Sequence, residues 1–136
     1  MLRFAVAVPF ALALAACAST PVERTVAVTG SIAYRERIAL PPTAQIEVRL
    51  DDVSLADAPA SNMATQSFAS EGKQVPFAFS LTVDRADIDP RHSYAVSARI
   101  TDADGRLMFI TDTRNSVTFG SGSMIDMGTL TLVKTH

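Results

Sequence analysis

From Val26 onward, apolar and polar positions alternate with a period of two, the spacing of a strand that buries one face. Val26, Val28, Gly30, Ile32 and Tyr34 share one parity. Ile46, Val48 and Leu50 alternate with Gln45, Glu47, Arg49 and Asp51. Val75, Phe77, Phe79, Leu81 and Val83 form a third set, in which Pro76 has no N–H to give a ladder. That strand is expected at a sheet edge, or with Pro76 near its start or at a bulge. Tyr94, Val96, Ala98 and Ile100 make a fourth. The pair Asp104-Gly105 predicts a two-residue type I′ hairpin that sets Ala103 opposite Arg106 and Ile100 opposite Phe109. Leu107, Phe109 and Thr111 then point inward, and Met108 and Ile110 outward. A last strand is expected over Met124 to Val133, after the loose segment "FGSGS". The segment from Asn62 to Ala69 carries the faintest pattern, with Phe68 its only large apolar residue.

No long helical period appears; Asp84 to Pro90 has room for one helical turn, capped by its aspartates. About seven short strands separated by turn signals predict an all-β fold, an antiparallel β-sandwich of the immunoglobulin or transthyretin kind. In "IDPRHSY" a proline stands four residues before a tyrosine that opens a strand. This predicts a tyrosine corner, with the Tyr94 phenol bonded back to the crossing loop.

The N-terminus breaks the pattern. Met1 to Arg3 is a short basic region and Phe4 to Ala15 an uncharged, mostly aliphatic run. That run has the length of a secretory signal core and is short for a membrane span. A core helix would be the ordinary alternative, but the run is apolar all round and stands at the chain's start. At its end comes Leu14-Ala15-Ala16-Cys17, which contains the only cysteine among 136 residues. A leftover cysteine in an exported chain can be a free thiol, half of an intermolecular disulfide, or a lipid acceptor. The four residues resemble the bacterial lipobox, an aliphatic residue and two small ones before a cysteine that is diacylglycerated and becomes the mature N-terminus. The resemblance implies residues 1–16 as a lipoprotein signal peptide, with Leu14, Ala15 and Ala16 read by the processing enzymes. Cys17 is then the lipidated residue, 17–25 the tether and 26–136 the β-sandwich domain. Ala18, in place of an aspartate after the cysteine, implies the outer membrane, on its periplasmic side. The segment "ASTPVERT" reaches at most roughly 28 Å when extended, so the domain stays near the bilayer.

Charge narrows the partners. Loss of Arg3 with the signal peptide leaves the 14 acidic side chains against one fewer than the full chain's 12 cationic ones. A mildly acidic, mixed surface without an arginine run argues against nucleic acid. Catalytic and metal chemistry find little footing. Of the two histidines, His136 ends the chain and His92 sits in a turn. No nucleophile-and-base spacing or phosphate loop stands out. Asp102, Asp104 and Gly105 have the opening rhythm of a calcium loop but lack its remaining ligands, and the hairpin explains them. Zinc would need Cys or His clusters. No cofactor is expected. An envelope-glycan enzyme using paired carboxylates, or a small-ligand carrier using the sandwich interior, are the competing readings; neither draws on a specific motif. Met108 and Ile110 are candidates for a partner surface. Met124, Ile125 and Met127 add adaptable apolar side chains near the C-terminus.

As a set, "GSIAYRERIALPPTAQIEVRLDDVSLADAP", "QVPFAFSL" and "IDPRHSYAVSARITDADGRLMFITDT", with the terminal strand, resemble the YscW/YbaY family of bacterial lipoproteins over roughly Thr29 to Leu132. The YbaY branch is the nearer in pattern. The resemblance implies a small β-sandwich behind a lipobox and a non-enzymatic binding, scaffold or chaperone module. In the YscW branch that module is a pilotin for the secretin of type III secretion. It implies an envelope protein as client and leaves Cys17 as the one functional residue to carry over. Oligomeric state is open.

Overall fold

The computed structural model describes residues 24–135. Eight strands follow in order: β1 (Thr25–Tyr34), β2 (Gln45–Asp52), β3 (Ser61–Ala69), β4 (Phe77–Asp84), β5 (Tyr94–Thr101), β6 (Leu107–Ile110), β7 (Asn115–Val117) and β8 (Met124–Lys134). A 3₁₀ turn at Arg85–Asp87 lies between β4 and β5, and the Asp84 carboxylate accepts from the Ala86 N–H at its start. The four expected alternations hold. Val26, Val28, Ile32 and Tyr34 of β1, Ile46, Val48 and Leu50 of β2, Phe77 to Val83 of β4 and Val96 to Ile100 of β5 put one parity into a single core. β4 is an edge strand, and Pro76 immediately precedes it.

The architecture departs from an antiparallel sandwich of about seven strands. The ladder runs β3-β2-β5-β6-β8-β1-β4, with β7 on β5, and curls into a mixed, nearly closed barrel-like sheet. β1 and β8 pair in parallel, from Ala27 opposite Met124 to Tyr34 opposite Leu132. A parallel pair needs a long crossover. Here almost the whole domain is that crossover, because the partners are the first and last strands. The edges β3 and β4 approach each other through side chains: the Ser80 N–H donates to Gln66 Oε1 at 2.8 Å, and Phe68 meets Phe77 at 5.9 Å between ring centres.

The hairpin also differs. Gly105 alone in the turn has a positive φ, +82°. Its N–H donates to Asp102 O, and Asp102 N–H donates to Arg106 O. The loop is therefore three residues, and Asp102 rather than Ala103 faces Arg106. The cause is the Asp102 carboxylate, which accepts from the N–H groups of Asp104 (3.0 Å) and Arg106 (2.8 Å) and stabilises the longer turn. A bulge between Ile100 and Thr101 then restores Ile100 opposite Phe109. Phe109 is buried, but Met108 does not stand out in solvent. It is half-buried against the core, where Thr135 N–H bonds its carbonyl. Ile110 is half-buried as well.

Gly30 lies at a close approach between β1, the β8 backbone and the Phe79 ring. β8 carries one extra residue opposite it, since Thr29 pairs with Asp126 and Ser31 with Thr129. The bulge is shaped by Gly128 at φ +68°. A Cβ on Gly30 would lie 2.7 Å from the Gly128 carbonyl oxygen and 2.8 Å from the Phe79 ring. Gly30→Ala is expected to cost about 1–3 kcal/mol in chemical denaturation. Gly120→Ala, in open space, should change stability by less than about 0.5 kcal/mol. Equal stability of the two variants would show that the bulge relaxes freely.

Candidate interaction site

Cys17 and the residues Leu14, Ala15 and Ala16 lie outside the described residues. Within the described ones, the largest concavity is a cleft of about 520 Å³ at the end of the barrel where β1 begins. Its walls come from the β4–β5 connection and from β7 with the residues that follow it. Ile88, Val117, Tyr94 and Phe119 supply apolar surface, and Arg85 and His92 the polar part. Tyr94 is fixed twice: its phenol oxygen accepts from the Asp89 N–H at 2.8 Å, the expected corner, and the Phe119 ring meets it edge-on at 5.3 Å.

Arg85 locks the segment that reads as loose in the sequence. Its guanidinium donates to the carbonyls of Gly120 (3.1 Å), Ser121 (3.0 Å) and Gly122, and its N–H bonds Arg24 O at 2.8 Å. Five or so donors in a planar fork suit a fan of carbonyls. Arg85 is thus occupied in building the wall.

The fold also joins residues that are distant in sequence: His92 Nδ1 lies 2.6 Å from Asp52 Oδ2, and Ser54 Oγ donates to Asp52 Oδ1 at 2.6 Å. Serine, histidine and aspartate are together, but the serine and the imidazole both turn to the carboxylate. Ser54 Oγ further accepts the Ser93 N–H at 2.8 Å. A nucleophile needs its base within hydrogen-bond reach; here the hydroxyl is spent on structure. His92 Nε2 lies 3.6 Å from the Asp89 carboxylate. Asp102 and Asp104, the other acidic candidates, belong to the hairpin described above. Among the described residues no group of three or more His, Cys, Asp or Glu is placed to hold a metal ion.

These contacts hold two carboxyls below the usual range. The Ser54 hydroxyl, and then His92, lower Asp52. The Arg91 side chain, through bonds of 3.2 and 3.0 Å, lowers Asp89 from 3.8 to about 2. A carboxyl depressed by folding adds stability above its unfolded pKa and loses it as pH falls through the folded one. The melting temperature is therefore expected to fall as pH drops from about 4 to about 2. Asp52→Asn and Asp89→Asn should each flatten that fall, as read by circular dichroism. An unchanged acid limb in the double variant would remove these two groups as its source.

Ile110 lies elsewhere, on the outer face of β2, β5 and β6. It borders a shallow depression of about 390 Å³ with Glu47, Arg49, Asp51 and Arg99. Arg99 pairs with Glu47 at 3.3 Å and Arg49 with Asp51 at 3.3 Å. The cleft leaves little trace in the alternation of the chain because connections, not strands, build it. The local hints are the corner formed by Pro90 and Tyr94 and, beside the cleft, Asp52 two residues before Ser54, the spacing of an Asx turn.

Residues 23–128 match the family model described as type III secretion system lipoprotein chaperone (YscW). The lipoprotein YbaY of Escherichia coli strain K12 is 43% identical over 100 residues, 74% of this chain and 52% of that one. The chain thus spans about half the length of this curated relative. Among solved structures, an alternative pilotin from the type II secretion system of Vibrio cholerae superposes with a TM-score of 0.72 at 47% identity, over 82% of this chain and 98% of that one. Strand pattern, barrel and family match agree: the chain belongs to the YscW family of lipoprotein chaperones.

Proposed function

We propose that this chain is a non-enzymatic pilotin-type chaperone, held by lipid on Cys17 to the periplasmic face of the outer membrane, that escorts a secretin subunit there. The observation that carries the reading is the likeness to the Vibrio cholerae pilotin, which extends over 98% of that chain at 47% identity. The same likeness favours a type II over a type III client. The cleft beside Tyr94 and Phe119 supports the reading as the client's seat, because it is pre-formed and offers apolar rings among polar groups. Of the two side chains on β6, Ile110 stays as a second candidate contact; Met108 packs on the core.

Deletion of the gene in the source bacterium tests this. Secretin multimers in the outer-membrane fraction are expected to fall by about tenfold, with monomers accumulating in the inner membrane. The wild-type gene should restore them. Normal multimers in the deletion strain would overturn the pilotin reading while leaving family and fold untouched.

A further inference from the structure

Among the described residues, three large apolar side chains are exposed: Ile38, Leu55 at 72% and Met124 at 68%. Two of the three share one end of the barrel. β1 begins there, with Thr25 opposite Asp84, the last residue of β4. Met124 opens β8 at the same end, paired with Ala27. Leu55 follows β2, whose last residue Asp52 pairs with Tyr94 at the start of β5. Ile38 lies at the opposite end, between β1 and β2. A strand of ten residues separates the ends by roughly 30 Å.

The connections at this end are tied to one another and to the start of β1. Arg85 bonds Arg24 on one side and the carbonyls ahead of β8 on the other. Val53 N–H donates to Ser93 O at 2.8 Å, alongside the Ser54–Ser93 and Asp52–His92 contacts. Leu55 and Met124 are thus exposed beside braced connections, at the end of the barrel where β1 begins.

We infer that this end of the barrel rests on the lipid bilayer, with Leu55 and Met124 inserted at the level of the headgroups and upper acyl chains. The inference rests on the proposed anchor at Cys17. The segment from Cys17 to Arg24 has eight residues and ends where β1 begins. Lipid on Cys17 holds this end of the barrel within roughly 28 Å of the surface. Docking then becomes an intramolecular event at high effective concentration, so two side chains suffice where a free domain would need more. The contact is carried by apolar side chains and not by charge. Residues 51–60 and 84–93 carry six aspartates against Arg85 and Arg91, which does not attract anionic headgroups. Neither Leu55 nor Met124 lines the cleft, which opens at this same end of the barrel.

The test uses the lipidated protein in phosphatidylethanolamine/phosphatidylglycerol vesicles. Lipidation consumes the Cys17 sulfur, so a thiol-directed fluorophore labels only a cysteine introduced by Leu55→Cys, Met124→Cys or Ile38→Cys. Lipids spin-labelled near the headgroup are expected to quench the dye at positions 55 and 124 about threefold more strongly than at 38. Equal quenching at all three positions overturns the inference and leaves the anchor standing. Dye uptake by the unsubstituted protein overturns the anchor itself, and this inference with it.

Discussion

Phe109→Ala is expected to lower the stability of the domain by about 3–5 kcal/mol, the range for truncating a buried aromatic. Small domains have about 5–15 kcal/mol in all. Phe109 is 1% exposed and stacks on Tyr34, ring centres 3.9 Å apart and planes 8° from parallel. Its place in the ladder adds to the effect. β6 has four residues, yet it joins β3-β2-β5 to β8-β1-β4 along the hydrogen-bonded path. Its join to β8 is two residue pairs, Phe109 with Lys134 and Ile110 with Val133. A cavity under Phe109 thus opens at the seam between the two halves, where few backbone bonds resist splaying. The Tyr34 hydroxyl, which donates to Ile38 O at 2.6 Å, holds the partner ring in position and limits collapse into the void. Phe109→Leu keeps most of the volume and should cost less than half as much as alanine. Leu55→Ala, at an exposed position, should stay within about 0.5 kcal/mol of the wild type. Urea unfolding followed by circular dichroism gives all three values. A loss below about 1 kcal/mol for Phe109→Ala would mean that the two halves are stabilised separately and that β6 is not the join.

Which parts of this fold were legible in the sequence follows from what alternation encodes. Parity reports which side of a strand is dry. It therefore exposed β1, β2, β4 and β5, each with a dry side and a wetter one. It carries no direction, so the parallel pairing of β1 with β8 left no mark. It does not say whether two dry faces belong to packed sheets or to one sheet that curls. β3 is nearly invisible because it is an edge strand whose residues are all exposed or half-buried. β7, at three residues, is shorter than the period needs. The Asp104-Gly105 pair correctly placed a turn, but the turn's length depended on the carboxylate of Asp102. The cleft was the least legible feature. Its key pairs, Asp52 with His92 and Arg85 with the carbonyls at Gly120 and Ser121, lie 35 to 40 residues apart. Tyr94 was the exception, because Pro90 and the tyrosine form a local signature of a corner.

Cys17→Ser is expected to abolish lipid labelling and to remove the protein from the outer-membrane fraction, the largest functional effect of any single substitution here. The serine hydroxyl is a far weaker nucleophile than the thiolate that, on the proposed lipidation, would accept the diacylglyceryl group. Without that group the lipoprotein peptidase has no substrate, and the chain stays as an uncut precursor or is cut as an ordinary secretory protein. The energetics then decide location. Each acyl methylene buried in the bilayer contributes about 0.8 kcal/mol, and two or more chains hold a protein firmly where one holds it marginally. Against this, Leu55 and Met124 together contribute only about 3–6 kcal/mol even if fully buried, which becomes useful once the lipid has removed the cost of reaching the surface. The unlipidated domain should thus keep its fold and melting temperature while leaving the membrane. A pilotin needs both properties at once: a client held by the domain moves outward only if the domain is carried. The serine variant is accordingly expected to lower secretin multimers as far as deletion does, while a Thr82→Ser control at an exposed site on β4 stays at wild-type levels. Labelled palmitate, membrane fractionation and the multimer assay read the three effects separately. Persistence of the label would exclude Cys17 as the lipid acceptor. Full multimers with an unlipidated protein would separate client assembly from the anchor and sink the escort mechanism.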